Sequence, residues 1–283
     1  MHIVRAGAVL LGLFFATLVH ATAQRTFVST AGVDNPACSL VAPCRAFAAA
    51  ITATSPGGEV IALDSGGYGP VTITKSVSII APAGVYAGIS VFSGNGVTVN
   101  GSAIAVVLRG LTINGQGGNI GISFLQGASL AIEDCTIDGL ANIGISLTAP
   151  NSKVRIKNAV VSKNSGGVAA VLNSAGSMNV TVANSLFAGN GVGAEVLGNL
   201  GSVTMTVTHS IFTDNVFGLE VSASAGQVAS IFSDGNTITF ALGAAFKFLN
   251  GGGAETIFSP GNNAAGYTVG PVDGGTLTSC CAL

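Results

Sequence analysis

The chain has no tryptophan and only 3 tyrosines in 283 residues, and charged residues make up just 8% of it. Its 10 lysines and arginines are balanced by 12 acids, for a formal net charge of -2. Cations this sparse exclude the basic footprint by which proteins hold nucleic acid. The one basic cluster, Lys153, Arg155, Lys157 and Lys163, lies next to Glu133, Asp134 and Asp138 and reads as a solvated surface. Beyond residue 23 the sole histidine is His209, and no Asp-Asp pair occurs anywhere. No Ser/His/Asp order, phosphate loop or dinucleotide fingerprint is present, and Gly251-Gly252-Gly253 lacks the strand and helix context that would give it meaning.

Long apolar runs are also scarce. The exception is residues 6–19, which follow Arg5 and precede Ala21-Thr22-Ala23, a small-x-small cleavage site. Residues 1–23 therefore read as a secretory signal peptide, with Gln24 first in the mature chain. An uncleaved anchor is the alternative, but the run falls short of the roughly 20 residues that span a bilayer. The mature chain is expected to be secreted, to the periplasm, the medium or the cell surface, without a transmembrane segment.

What the sequence has in quantity is glycine, 41 residues of it, and a repeat. VTVANSLFAGNGVGAEV (180–196) and MTVTHSIFTDNVFGLEV (205–221) match position for position, and earlier copies occupy 106–124, 130–147 and 154–171. A period of about 20–30 residues marks a solenoid whose units bury apolar surface only against their neighbours. Within each copy, apolar residues alternate with polar or small ones, as in Val154 and Ile156 against Arg155 and Lys157, the period of a half-buried strand. A helical stripe is absent.

The alternation breaks at Gly110, Asp134, Asn158, Asn184 and His209. It resumes with an inward set Ile113, Ile137, Val161, Phe187 and Phe212, and breaks again at Asn164, Asn190 and Asn215. A Gly-led strand then follows, as at Gly193-Ala194-Glu195-Val196. Three short strands per turn, with Asn and Gly at bends that need left-handed backbone angles, describe a parallel β-helix.

This repeat resembles that of the right-handed parallel β-helix proteins, the pectate-lyase-like superfamily, over roughly residues 59–263. The resemblance implies an all-β, single-stranded right-handed solenoid with an inward Asn ladder at the tight corner. Asn158 and Asn184 fit that place, and Asp134 and His209 depart from it. It implies no particular activity, because enzymes and non-catalytic surface proteins share the fold.

Residues 24–58 are expected to form an N-terminal cap segment, 59–265 the β-helix, and 266–283 a tail that closes the other end or hangs loose. In the cap, the Ala-rich stretch 45–54 is predicted to be a helix stopped by Pro56-Gly57-Gly58. Cys38 and Cys44 bracket a short loop and are expected to pair, metal binding being disfavoured by the lack of a nearby histidine. Cys135 occupies a small inward position and reads as a buried, inert thiol. Cys280 and Cys281 could be unpaired, joined to each other, or intermolecular.

Two outward columns follow from the register. Arg109, Glu133 and Lys157 should stack as plus, minus, plus, a structural pairing. Glu195 above Glu220 is a like-charge pair about 4.8 Å apart, which destabilises a sheet unless something offsets it. Candidates are a bound cation such as calcium, a proton shared by the pair, or the ammonium of Lys247, placed diagonal to Glu220. The competing expectation is that both carboxylates splay into water. Ser123, Ser146, Thr148 and Ser222 would extend the face with hydroxyls suited to a glycan.

Two functions fit: a secreted or cell-surface β-helix whose long face binds glycan or protein, or a polysaccharide-acting lyase, hydrolase or epimerase using the acidic column. The missing catalytic motifs favour the first.

Overall fold

The computed structural model describes residues 23–267 and 270–278, so the expected signal segment, apart from Ala23, and the pair Cys280 and Cys281 lie outside the described residues. The described chain winds through three parallel sheets of ten, nine and nine strands. One coil shows the order. Strand Ser177–Ala183 belongs to sheet 1, the short strand Leu186–Ala188 to sheet 2 and strand Val192–Gly198 to sheet 3, after which Ser202–Thr208 re-enters sheet 1. Each strand pairs in parallel with its equivalent one coil away.

The corner between sheets 1 and 2 is held by residues at positive φ: Asp134, Asn158, Asn184 and His209 lie between 48° and 55°. Asn and Asp tolerate that conformation best among residues with a side chain. These side chains point outward, and Asn158 donates only to Asp134 Oδ1 (3.0 Å). The inward ladder expected at Asn158 and Asn184 is therefore elsewhere. It runs through Asn164, Asn190 and Asn215 at the next corner, all buried. Asn164 Nδ2 donates to Asn190 Oδ1 and Asn190 Nδ2 to Asn215 Oδ1, both at 3.1 Å. The same oxygens accept the backbone N–H one coil back, at 3.0 and 2.9 Å. An amide with both a donor and an acceptor can satisfy buried main-chain groups on two coils at once.

Directly after the first corner runs a parallel ladder of small residues. Ser185 Oγ accepts from Ala159 N, Ser210 Oγ from Ser185 N, and Asn236 Oδ1 from Ser210 N. Cys135 occupies this line, buried, and burial pushes its thiol up to about 11, so it stays protonated.

The core is a continuous column of Val, Ile, Leu and Phe, in which the rings of Phe187 and Phe212 stack 4.7 Å apart. This stacking explains the Gly-led strands of sheet 3. A Cβ on Gly193 would stand 2.5 Å from the Phe212 ring and 2.7 Å from Gly218 O. Close approach, not a left-handed angle, demands glycine there.

At the N-terminal end, strand Ala23–Val28 pairs with Thr54–Ala62 and is the outermost strand of sheet 1. The segment expected to cap the stack with a disulfide loop and a helix thus also contributes a strand to sheet 1. Helix Phe47–Ala53 buries Phe47, Ala50, Ile51 and Ala53 over the first coil and runs straight into the strand at Thr54, before the Pro-Gly-Gly expected to stop it. Thr54 ends it by donating its Oγ1 to Ala50 O (2.6 Å). Cys38 and Cys44 form a disulfide with their Cα atoms 4.8 Å apart. Among the described residues no helix is long and apolar enough to cross a membrane. At the other end, strand Gly270–Asp273 extends sheet 3, so this part of the tail continues the stack.

Candidate functional site

The outward face of sheet 3 carries one in-register column. From the N-terminal edge it reads Thr72, Thr98, Ser123, Ser146, Ala169, Glu195, Glu220, Lys247 and Asp273. Hydroxyls occupy one half and charges the other. Glu195 and Glu220 are directly opposite, as the repeat implies. Lys247, expected on the diagonal, is instead in register with Glu220. Two residues more separate these positions than separate the two glutamates, which moves Lys247 into line.

The two carboxylates do not splay into water. Glu220 is only 6% exposed, and Lys247 Nζ lies 3.1 Å from its Oε2. The same ammonium sits 3.8 Å from the centre of the Phe217 ring, a cation–π contact that holds it over the column. Glu195 is half-buried. Burial first, and the Glu220 carboxylate second, push Glu195 from 4.5 up to about 7, with Lys247 pulling the other way. The like-charge repulsion is thus offset twice, by the lysine on one glutamate and by proton retention on the other.

A raised carboxyl value makes stability fall with pH. Both states hold the proton below the unfolded value of 4.5; above it the unfolded chain releases the proton while the folded chain keeps it until about 7. Each unit of difference is worth about 1.4 kcal/mol, so on the order of 3 kcal/mol is lost between pH 4.5 and 7, with a plateau above. Glu195→Gln is expected to flatten that slope, as read by urea unfolding at pH 4.5, 6 and 8. A parent and variant with parallel pH profiles would refute the assignment.

Of the expected hydroxyls, Ser146 is half-buried on the column, whereas Ser123 is 2% exposed and closed to a ligand. Ser222, half-buried, lies two residues past Glu220, in register with Leu197. Thr148 donates its hydroxyl to Phe124 O (3.2 Å) and lines a neighbouring cleft with Leu125 and Pro150. Among the described residues no group of three or more His, Cys, Asp or Glu is arranged to hold a metal ion. Thr72, Thr98, Phe217 and Asp273 belong to the face and were missed from the sequence, because the coil-to-coil offset varies along the column and a fixed count from Glu220 lands beside them.

On sheet 1, Arg109, Glu133 and Lys157 are in register. Glu133 pairs with Arg109 at 2.6 Å and, on the other side, with Arg155 at 2.5 Å. The longer, forked guanidinium reaches across the diagonal and takes the place expected for Lys157.

The sequence of residues 55–238, which builds these coils, matches the family model described as right handed beta helix region. The chain belongs to the right-handed β-helix family. Among solved structures, this β-helix is similar to that titled "Crystal structure of pectate lyase Pel9A", with a TM-score of 0.53 and 16% identity, over 93% of this chain and 82% of that one. At such identity the likeness is one of fold. No curated protein sequence matches the β-helix significantly.

Proposed function

We propose that this protein is a secreted or cell-surface β-helix that binds a polysaccharide along the outward face of sheet 3. The observation that carries the reading is the ion pair of the buried Glu220 with the half-buried Lys247, on a sheet face that also carries the hydroxyls of Ser146, Thr98 and Thr72. Removing the Glu220 carboxylate from water costs several kcal/mol, and well-packed apolar residues would stabilise the same site as well or better. Charges kept at that cost, on one face with Ser146, Thr98 and Thr72, suit a ligand covered with hydroxyl groups. The leader-like residues 1–23 and the Cys38–Cys44 disulfide support export. Affinity electrophoresis against neutral and acidic polysaccharides is expected to retard the parent on at least one of them, with Glu220→Gln and Lys247→Met variants retarded at least fivefold less. Unchanged retardation of both folded variants, or no retardation of the parent by any polymer, would refute the reading.

The second reading is a polysaccharide-acting enzyme. Favouring it, Glu195 is held near neutrality beside an ion-paired Glu220, the split that divides acid from base in carboxylate pairs. It requires new reducing ends or unsaturated products from some polymer, with a rate that inflects near pH 7 and disappears in Glu195→Gln.

A further inference from the structure

At its N-terminal edge the sheet 3 column runs up to the cap helix. There its outermost strand, Val71–Ile73, is overhung by helix Phe47–Ala53, and between them lies a cleft of about 600 Å³. That volume is within the range of small-ligand sites, roughly 300–1,000 Å³. Its floor is the last two hydroxyls of the column, Thr72 and Thr98, and its wall is the helix at Ala48 and Thr52. Asn95 donates to Thr98 Oγ1 at 3.4 Å, which leaves the threonine proton free to be given to a ligand.

Lys75 supplies the charge. Its ammonium donates to Thr54 O (2.5 Å) and Thr52 O (3.3 Å), which fixes it at the rim and leaves the third N–H unused by those two bonds. No carboxylate lines the cleft. Burial lowers the Lys75 value. Tethering the helix end would need the lysine only; it does not call for Thr72, Thr98 and Asn95 to converge on the same space.

We infer that this cleft is a chain-end subsite, taking the terminal sugar of a glycan whose following residues lie along sheet 3. The inference rests on the polysaccharide-binding reading and adds to it that the protein recognises an end of the polymer. A chain running past the first coil would collide with the helix, whereas a terminal ring can sit against it and give its hydroxyl oxygens to Lys75, Thr72 and Thr98.

The test uses α-1,4- and β-1,4-linked glycans, neutral and acidic, each as a set of two to ten sugars and as the parent polymer, with titration followed by calorimetry. For a set that binds, the stoichiometry is expected to follow the number of chain ends and not the mass of polymer. Chemical capping of one end should weaken binding at least tenfold while capping the other leaves it unchanged. Thr98→Val and Lys75→Gln should each weaken short oligosaccharides at least fivefold, and Thr98→Val covers the case in which Lys75→Gln loosens the helix. Binding that scales with mass, tolerates capping of both ends, or is untouched by Thr98→Val overturns the chain-end subsite while leaving the sheet 3 reading in place. If no set binds, both fail together.

Discussion

Phe187→Asp is expected to abolish folding: at 25 °C the variant should show no cooperative melt and should be cleaved by protease at rates typical of an unfolded chain. Phe187 is fully buried and stacked on Phe212, with coils on both sides. Truncating such a ring costs about 3–5 kcal/mol through lost burial and the cavity left behind. A carboxylate in its place adds a desolvation penalty of several kcal/mol with no partner in reach. Against a total stability of roughly 5–15 kcal/mol for a folded protein, that sum is decisive. A variant that still melts within a few degrees of the parent would mean that the inward and outward faces are reversed, and the sheet 3 column with them.

Asn190→Ala should cost less, yet still a large share of the total stability, without removing a large apolar side chain. Asn190 accepts from Asn164 N and Nδ2 and donates to Asn215 Oδ1 and Val161 O, all within 3.1 Å. Alanine leaves these buried groups without that partner, and each one unsatisfied costs about 1–3 kcal/mol. The expected loss is on the order of 4 kcal/mol by urea unfolding, with the transition still cooperative. A matched substitution at the exposed corner, Asn158→Ala, should cost about 1 kcal/mol or less. Equal effects at the two positions would show that the ladder contributes nothing beyond its corner geometry.

The contrast between those two asparagines marks where the sequence was legible and where it was not. Alternation identified the inward residues from Ile113 to Phe212 and the two corners, because period-2 burial leaves a direct trace in residue type. Asparagine at a corner has two separate causes, a left-handed backbone and an amide ladder, and both select the same residue. Asn158 answers to the first and Asn190 to the second, a difference that only burial discloses.

The charged column was legible in its members and not in its energetics. Glu195 and Glu220 follow from the repeat, but the register of Lys247 depends on two additional residues between coils. The burial of Glu220 depends on surroundings no local pattern encodes. Likewise the pairing of Glu133 with Arg155 turns on side-chain reach across neighbouring columns. The Thr72 and Thr98 cleft needs the helix to be placed over the sheet edge, a tertiary fact with no local signature.

The uniform ladders also make the length of this molecule adjustable while its cross-section stays fixed. Asn190 and Asn215 are 25 residues apart, and either amide presents the same acceptor to Asn164 below it. Excising residues 184–208 would join Ala183 to His209, itself a left-handed corner residue, set Phe212 above Val161, and let Asn215 meet Asn164. Such a deletion keeps the strand pairing and the amide ladder, gives up the stacking of Phe187 on Phe212, and shortens the stack by one step of about 4.8 Å. Among the charged groups of the sheet 3 column it removes Glu195 alone. A duplication would do the reverse, so gain or loss of whole coils offers this lineage a way to change its recognition face while the strand pairing and the corner ladder carry on unchanged.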